Sequence, residues 1–168
     1  TAIEMMNSVW EDEKTFLQAD PESPVYGLVN WYDERQIFYG DDNARVLLAS
    51  LFTARTLNDD RWDEVMLRCI LANYRTSGKY GFRRANLVYP VHFQDGRSWE
   101  HYRDEEFVHL SPHFQCYLWA CYLWAYEMTG YEPLLETSKT AIRMTMEAYP
   151  DQWKWTNGIQ RSADFNDA

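Results

Sequence analysis

An uncharged run of eleven residues, CYLWACYLWAY at positions 116–126, constrains the fold more than any other part of the chain. Tyrosine supplies its only hydroxyl groups, and it contains no amide side chain. A helix over these residues is apolar on every side and needs neighbours on more than one side. The run is too short to cross a bilayer, which takes about 20 residues. We therefore predict a buried helix inside a globular domain.

This helix is the first half of a predicted hairpin over about 112–149. Ser111 and Pro112 are typical of an N-cap and of the first helical position. Gly130 is typical of a residue that follows a helix end. A short turn then leads to a helix over about 133–148, whose apolar residues follow one side only.

The same pattern predicts an earlier hairpin, over about 42–75. Asp41, Asp42 and Asn43 are residues that cap helices, and they precede a stretch that is apolar most of the way round. The next helix, over about 61–75, has apolar residues at the spacing of a helix buried on one face. The two hairpins are similar enough to indicate a repeat.

The two patterns predict an all-α fold of antiparallel helical hairpins in two layers. A helix that is apolar all round is covered on both sides, whereas a one-sided helix covers it from outside. We expect the helices over about 42–57 and 112–129 to form an inner layer. They should be more deeply buried than the outer helices over about 61–75 and 133–148.

Charge and cysteine content exclude several classes of protein. The chain carries 26 acidic and 16 basic residues, a net charge of −10, which argues against nucleic acid or an anionic membrane as its partner. Its three cysteines lie in apolar helical patterns, so we expect buried thiols and not a disulfide framework; they are Cys69, Cys116 and Cys121.

Four stretches of the chain resemble the six-hairpin glycosidase superfamily, whose fold is an (α/α)6 barrel, or toroid. They are YGDDNARVLLASL, TSGKYGFR, SPHFQCYLWACYLWAYEMTGYEPLL and WKWTNGIQ. In appearance they are closest to bacterial polysaccharide-degrading members such as unsaturated glucuronyl hydrolases. Six hairpins at this spacing need about 400 residues. The resemblance thus implies that 1–168 is a single helical domain that forms part of a larger barrel.

Asp42 and its neighbour Asp41 are the candidate catalytic residues. The resemblance implies an aspartate near the start of an inner helix, and Asp42 matches that position. Glycoside cleavage takes two carboxyl groups, one protonated and one ionised. The alternative is that Asp41 only caps the helix and Asp42 only matches its dipole.

Six further residues are candidates for substrate binding at the end of the helical layers where the inner helices start. A sugar could be bound by polar residues in the first turn of the second inner helix and by a cation one turn into the first inner helix. Polar or aromatic residues that follow the outer helices could also contact it. They are Arg45, Arg83, His113, Gln115, Trp155 and Asn157. Each could instead have a structural role, as a helix-end or packing residue.

A metal site is disfavoured, although all four histidines lie close together at His92, His101, His109 and His113. With Pro112 as the first helical residue, His109 lies outside the helix and shares no helical face with His113. We expect neither a metal nor another cofactor.

The leading hypothesis is a glycoside hydrolase that acts on oligosaccharides by carboxylate acid/base chemistry. The alternatives are a non-catalytic helical-repeat module that binds carbohydrate or acts as a scaffold, and a toroid lyase or epimerase. A polysaccharide-degrading bacterial enzyme would act in the periplasm or outside the cell. Because two hairpins leave inner helices partly uncovered, we expect association with a second copy or with the rest of a longer parent chain.

Overall fold

A computed structural model describes residues 1–11, 16–23, 25–30, 37–83, 86–88 and 112–148. This part of the chain is mainly helical, as predicted, and also contains a short β-ribbon. Its elements are α1 (Ala2–Trp10), β1 (Ile37–Tyr39), α2 (Gly40–Leu57), α3 (Asp63–Arg75), β2 (Asn86–Val88), α4 (Pro112–Thr129) and α5 (Glu132–Ala148). Within the described ranges, no helix combines the length and hydrophobicity of a membrane span.

Helices α2 and α3 form the first predicted hairpin. Asn58 follows α2 in the left-handed conformation, with φ of 51°, and turns the chain. At the turn, Arg55 forms an ion pair of 2.8 Å with Asp63 at the start of α3. At the other end, the Asn73 amide lies 3.4 Å from that of Asn43. The two helices are therefore antiparallel.

Helices α4 and α5 form the second predicted hairpin, joined through Gly130, which has a φ of 68°. The uncharged run lies within α4, and α4 packs against α2, α3 and α5. The prediction that this helix has neighbours on more than one side is therefore confirmed, although the side that carries Cys116 and Ala120 is exposed.

Helices α2 and α4 run in the same direction. The Cys121 thiol faces the carbonyl of Ala44, and the Arg55 guanidinium, eleven residues further along α2, lies over the ring of Trp124. If the helices ran in opposite directions, the backbones of Arg55 and Trp124 would lie about 21 Å apart along the helix axes, on opposite sides of Cys121. Two parallel helices, each followed by an antiparallel partner, are the arrangement that repeated hairpins produce.

The predicted difference in burial between the layers is wrong for the first hairpin. Both helices bury one side only: α2 buries Leu47 completely and leaves Phe52 73% exposed, while α3 buries Ile70 completely and leaves Leu71 38% exposed. Helix α3 packs against both α2 and α4. The side of α2 that carries Phe52 has no neighbouring element within the described residues.

The prediction for the cysteines is confirmed at two of the three positions. Cys69 and Cys121 are buried thiols, and burial raises the pKa of Cys69 to about 12. Cys116 is exposed, which contradicts the prediction. It shares its side of α4 with Ala120, also exposed, so this side of the helix faces away from the core.

The β-ribbon was not predicted. Strands β1 and β2 are antiparallel, with Phe38 opposite Leu87. Strand β1 leads directly into α2, and Tyr39 is its last residue and the N-cap of the helix. The ribbon therefore helps to place the start of α2, where the candidate site lies.

Candidate functional site

An open cleft of about 340 Å³ lies where three parts of the chain meet. One part is α1, another is the start of α2, and the third is a segment that we call the cleft loop, residues 16–23 and 25–30. The cleft is lined by Val9, Phe16, Val29, Asn30, Asp42, Arg45 and Val46. Its walls are apolar and three polar side chains converge on it, as is typical of small-molecule sites.

Asp42 is the third residue of α2 and is half-buried in this cleft. The N-cap is Tyr39, which caps without a side-chain hydrogen bond, so neither Asp41 nor Asp42 is the N-cap residue. A carboxylate in the first turn of a helix interacts favourably with the helix dipole. The side chain of Asp41 lies outside the described residues.

Arg45, one turn after Asp42, connects the cleft to α4. Its guanidinium lies over the ring of Tyr117, 5.6 Å from the ring centroid, and its side chain also lines the cleft. The cleft therefore has a cationic group within one helical turn of its carboxylate.

The cleft loop is a closed structure whose two ends pair with each other. Leu17 and Val29 form an isolated antiparallel β-bridge, and the Asn30 N–H donates to the Phe16 carbonyl at 2.6 Å. At its other end, Arg68 of α3 lies over the Tyr26 ring at 5.1 Å. Phe16, Val29 and Asn30 are thus held together as one wall of the cleft.

Asn43 attaches this wall to α2 and is a residue for which sequence reasoning predicted only a cap. Its Oδ1 accepts from the Val29 N–H at 2.8 Å, and its Nδ2 donates to the Val29 carbonyl at 2.7 Å. Nδ2 also donates to the carbonyl of Tyr39 at 2.9 Å. Asn43 is 1% exposed, and its position directly after Asp42 was the only signal in the sequence.

Arg83 and Gln115 meet at the start of α4, where the predicted layout placed them. The Arg83 N–H donates to Gln115 Oε1 at 3.0 Å, and Gln115 Nε2 donates to the Arg83 carbonyl at 2.8 Å. The two residues are 1% and 4% exposed. Substrate binding by either stays a prediction, whereas their contacts assign both a structural role.

The Arg83 guanidinium reaches from this pair to the start of α2. Its Nε donates to Thr76 Oγ1 at 3.2 Å, and its Nη2 donates to the Phe38 carbonyl at 3.1 Å. A Cβ added at Gly40 would lie 2.8 Å from Nη1. Asp42, two residues after Gly40, therefore lies at the same end of the helices as Arg83 and Gln115.

Further buried polar groups extend between α3 and α4. The Ser77 hydroxyl donates to the carbonyl of Asn73 at 2.8 Å and lies 2.7 Å from the Tyr122 hydroxyl. Burial raises the pKa of Tyr122 well above its usual value. This phenol therefore stays neutral and acts as a structural hydrogen-bonding group.

The remaining predicted site residues are only partly placed. His113 belongs to the first turn of α4, two residues before Gln115, but its side chain lies outside the described part. Trp155 and Asn157, with His92, His101 and His109, also lie outside it. Among the residues that are described, no three His, Cys, Asp or Glu side chains are grouped as metal ligands.

The fold and the site define a mainly helical protein of antiparallel hairpins with a polar cleft at one helix start. Comparisons with protein-family models, with curated proteins and with solved structures find no match to this chain.

Proposed function

We propose that this chain is a carbohydrate-active protein of the glycoside hydrolase type, which binds an oligosaccharide in the Asp42 cleft. The single observation that carries the proposal is the convergence of Asp42, Arg45 and Asn30 on a cleft that also contains the Phe16 ring. Hydroxyl groups of a sugar hydrogen-bond to carboxylate, guanidinium and amide groups, while an aromatic ring packs against its apolar face.

Asp42 is the proposed chemical group of this cleft. In glycoside hydrolysis, a carboxyl group either protonates the leaving oxygen or acts as base or nucleophile. Asp42 is half-buried, so it is partly shielded from water and still open to a ligand. In the proposed mechanism, Asp41 or a residue outside the described ranges supplies the second carboxyl group.

We further infer that the hairpins belong to a larger (α/α) toroid of the six-hairpin glycosidase type. The parallel course of α2 and α4, with α3 packed against both, supports this inference. The exposed side of α2 and α4, with Phe52 and Ala120, would then face the cavity of the toroid or a second copy of the chain.

A non-catalytic carbohydrate-binding module is the second candidate function. The observation in its favour is that, among the lining residues that the structure describes, Asp42 is the one carboxylate. Hydrolysis of a glycosidic bond requires two carboxyl groups, whereas binding of a sugar does not require them. A module of this kind would bind the same sugars without cleaving them.

The test is a titration of the isotope-labelled full chain with cellotetraose and, separately, with tetragalacturonate, a neutral and an anionic probe. We expect the backbone amide signals of Asn30, Asp42 and Arg45 to shift on addition of at least one probe. Chromatography of the same mixtures after prolonged incubation detects cleavage. A chain that neither binds nor cleaves either probe contradicts the proposal.

Asp42→Asn separates catalysis from binding, because it keeps the shape of the side chain and removes its titratable group. For a hydrolase we expect turnover to fall by about two orders of magnitude or more. Glu127→Gln is the matched control, since Glu127 is an exposed carboxylate of α4 outside the cleft. Binding without cleavage by the wild-type chain would support the binding module instead.

A further inference from the structure

We infer that Asn43 is the positioning residue of the cleft, holding the Val29–Asn30 wall at a defined distance from Asp42. This inference rests on the proposed function for its sugar-binding consequence. Its geometric part, that one buried amide joins the cleft loop to α2, stands on the hydrogen bonds alone.

The Asn43 side chain takes the place of a neighbouring β-strand beside Val29. The Asn43 amide accepts from the N–H and donates to the carbonyl of Val29, as a neighbouring strand would. Val29 and Asn30 line the cleft from one side, and Asp42 lines it from the other. Since Asn43 directly follows Asp42 on α2, the bonds to Val29 tie the two sides of the cleft together.

A side-chain amide is the functional group that these contacts require. Both N–H groups of its Nδ2 are used, one by the Val29 carbonyl and one by the Tyr39 carbonyl. Its Oδ1 accepts from the Val29 N–H and lies 3.5 Å from the Cys69 thiol. A carboxylate has no donor for the two carbonyls, and a hydroxyl has only one.

Because Asn43 is buried, loss of these hydrogen bonds is costly. Its side chain is 1% exposed, and polar groups that lose a partner in such a place are not compensated by water. Without the amide, the Val29 N–H and carbonyl lose their partner on α2, and the cleft loop keeps its attachments to α3 at Tyr26 but not its bond beside Asp42.

The test compares Asn43→Ala with Leu134→Ala in the full chain. Leu134 is fully buried at the start of α5 and does not line the cleft, so its replacement also lowers the melting temperature. We expect Asn43→Ala to weaken binding of the tetrasaccharide probe, cellotetraose or tetragalacturonate, by about tenfold, and Leu134→Ala to leave it within about twofold. Equal affinities of the two variants would overturn the inference.

Hydrogen exchange supplies a second measurement that requires no sugar. The ratio of exchange rates at the Val29 and Leu51 amides corrects for global unfolding, because Leu51 is buried in the interior of α2, two turns beyond Asn43. We expect this ratio to rise by about tenfold in Asn43→Ala and to stay constant in Leu134→Ala. A constant ratio in both variants refutes the inference, even if the chain binds sugar.

The two proposals can fail separately. If the wild-type chain binds neither tetrasaccharide, the proposed function fails and the exchange ratio alone decides on Asn43. Asn43→Asp serves the same comparison if Asn43→Ala does not fold, because it keeps an oxygen for the Val29 N–H and loses both donations from Nδ2. We expect it to raise the exchange ratio by about threefold or more.

Discussion

The starts of α2 and α4 have similar sequence signals and opposite surroundings. At the start of α2, Asp42 and Arg45 line an open cleft whose other wall is the cleft loop. At the start of α4, Gln115 is enclosed by the backbone of Arg83. Both helices begin with polar residues before an apolar stretch, yet Asp42 at one start lines an open cleft and Gln115 at the other is buried in the core.

The difference comes from the segment that reaches each helix start. Residues 78–83 follow α3 closely and fold onto α4, where Trp119 donates to the Gly81 carbonyl at 3.0 Å. The cleft loop is attached to α2 through Asn43, and its residues Phe16, Val29 and Asn30 line the open cleft together with Asp42. A polar residue at a helix start is therefore a site candidate only when the segment beside it leaves the residue accessible.

Replacing the two arginines tests this comparison with the largest expected effect. We expect Arg83→Ala to lower the free energy of unfolding by about 3 kcal/mol, because it removes buried hydrogen bonds to Thr76 and Phe38. Arg45→Ala, at the open start, should cost about 0.5 kcal/mol, since Arg45 is exposed and a cation–π contact such as the one with Tyr117 stabilises by about this amount at an exposed site. Urea denaturation measures both losses, and similar values would contradict the proposed difference between the two helix starts.

Gly40→Ala tests the close contact between the start of α2 and the Arg83 guanidinium, which connects it to the start of α4. Alanine normally stabilises a helix relative to glycine, but here its Cβ would lie 2.8 Å from Arg83 Nη1. Because this guanidinium is buried and hydrogen-bonded, we expect a net loss of about 1 to 2 kcal/mol. In the Arg83→Ala background the same change should become neutral or stabilising. A loss that is unchanged in that background contradicts the contact.

The reactivity of the cysteine thiols compares the surroundings of the two helix starts, and it is the smallest of the expected effects. We expect Cys116, near the start of α4, to react with a thiol reagent well before Cys69, which lies beneath Asn43. Burial raises the pKa of Cys69 to about 12, so its reactive thiolate is scarce at neutral pH. Mass spectrometry of the partly labelled chain identifies the order, and labelling in urea is the control for intrinsic reactivity.

The same pKa shift predicts how stability depends on pH. The Cys69 thiol loses its proton more easily in the unfolded chain, whose cysteine pKa is near 8.5. The contribution of the neutral thiol is therefore complete below about pH 8 and declines as the pH rises toward 12. Cys69→Ala should make the free energy of unfolding fall less steeply over this range.

Helix positions were predictable because they depend on local chemistry. Pro112 begins α4, Gly130 follows its end, and Asn58 ends α2, all as the residue types indicated. The start of α2 was placed a few residues late, because Asp41 to Asn43 were interpreted as caps. Strand β1 and the N-cap Tyr39 were missed, since a three-residue strand has too little pattern to recognise.

The common location of four predicted residues followed from the sequence, but which of them line the cleft and which are buried did not. Asp42, Arg45, Arg83 and Gln115 do lie at one end of the helices, as the hairpin layout implied. The pattern could not indicate that two of them line a cleft and two are buried. That outcome depends on Phe16, Val29 and Asn30, which are far away in sequence and belong to no helix.

The amino-acid sequence by itself determined that this chain forms helical hairpins, because apolar periodicity, proline and glycine act over one or two turns of chain. The tertiary structure alone decided which polar residues face solvent. Asn43 became an anchor through its contact with Val29, and Arg83 became a core residue through Gln115 and Thr76. The physical reason is that hydrogen bonds between distant segments depend on where those segments pack, and local sequence does not encode that distance.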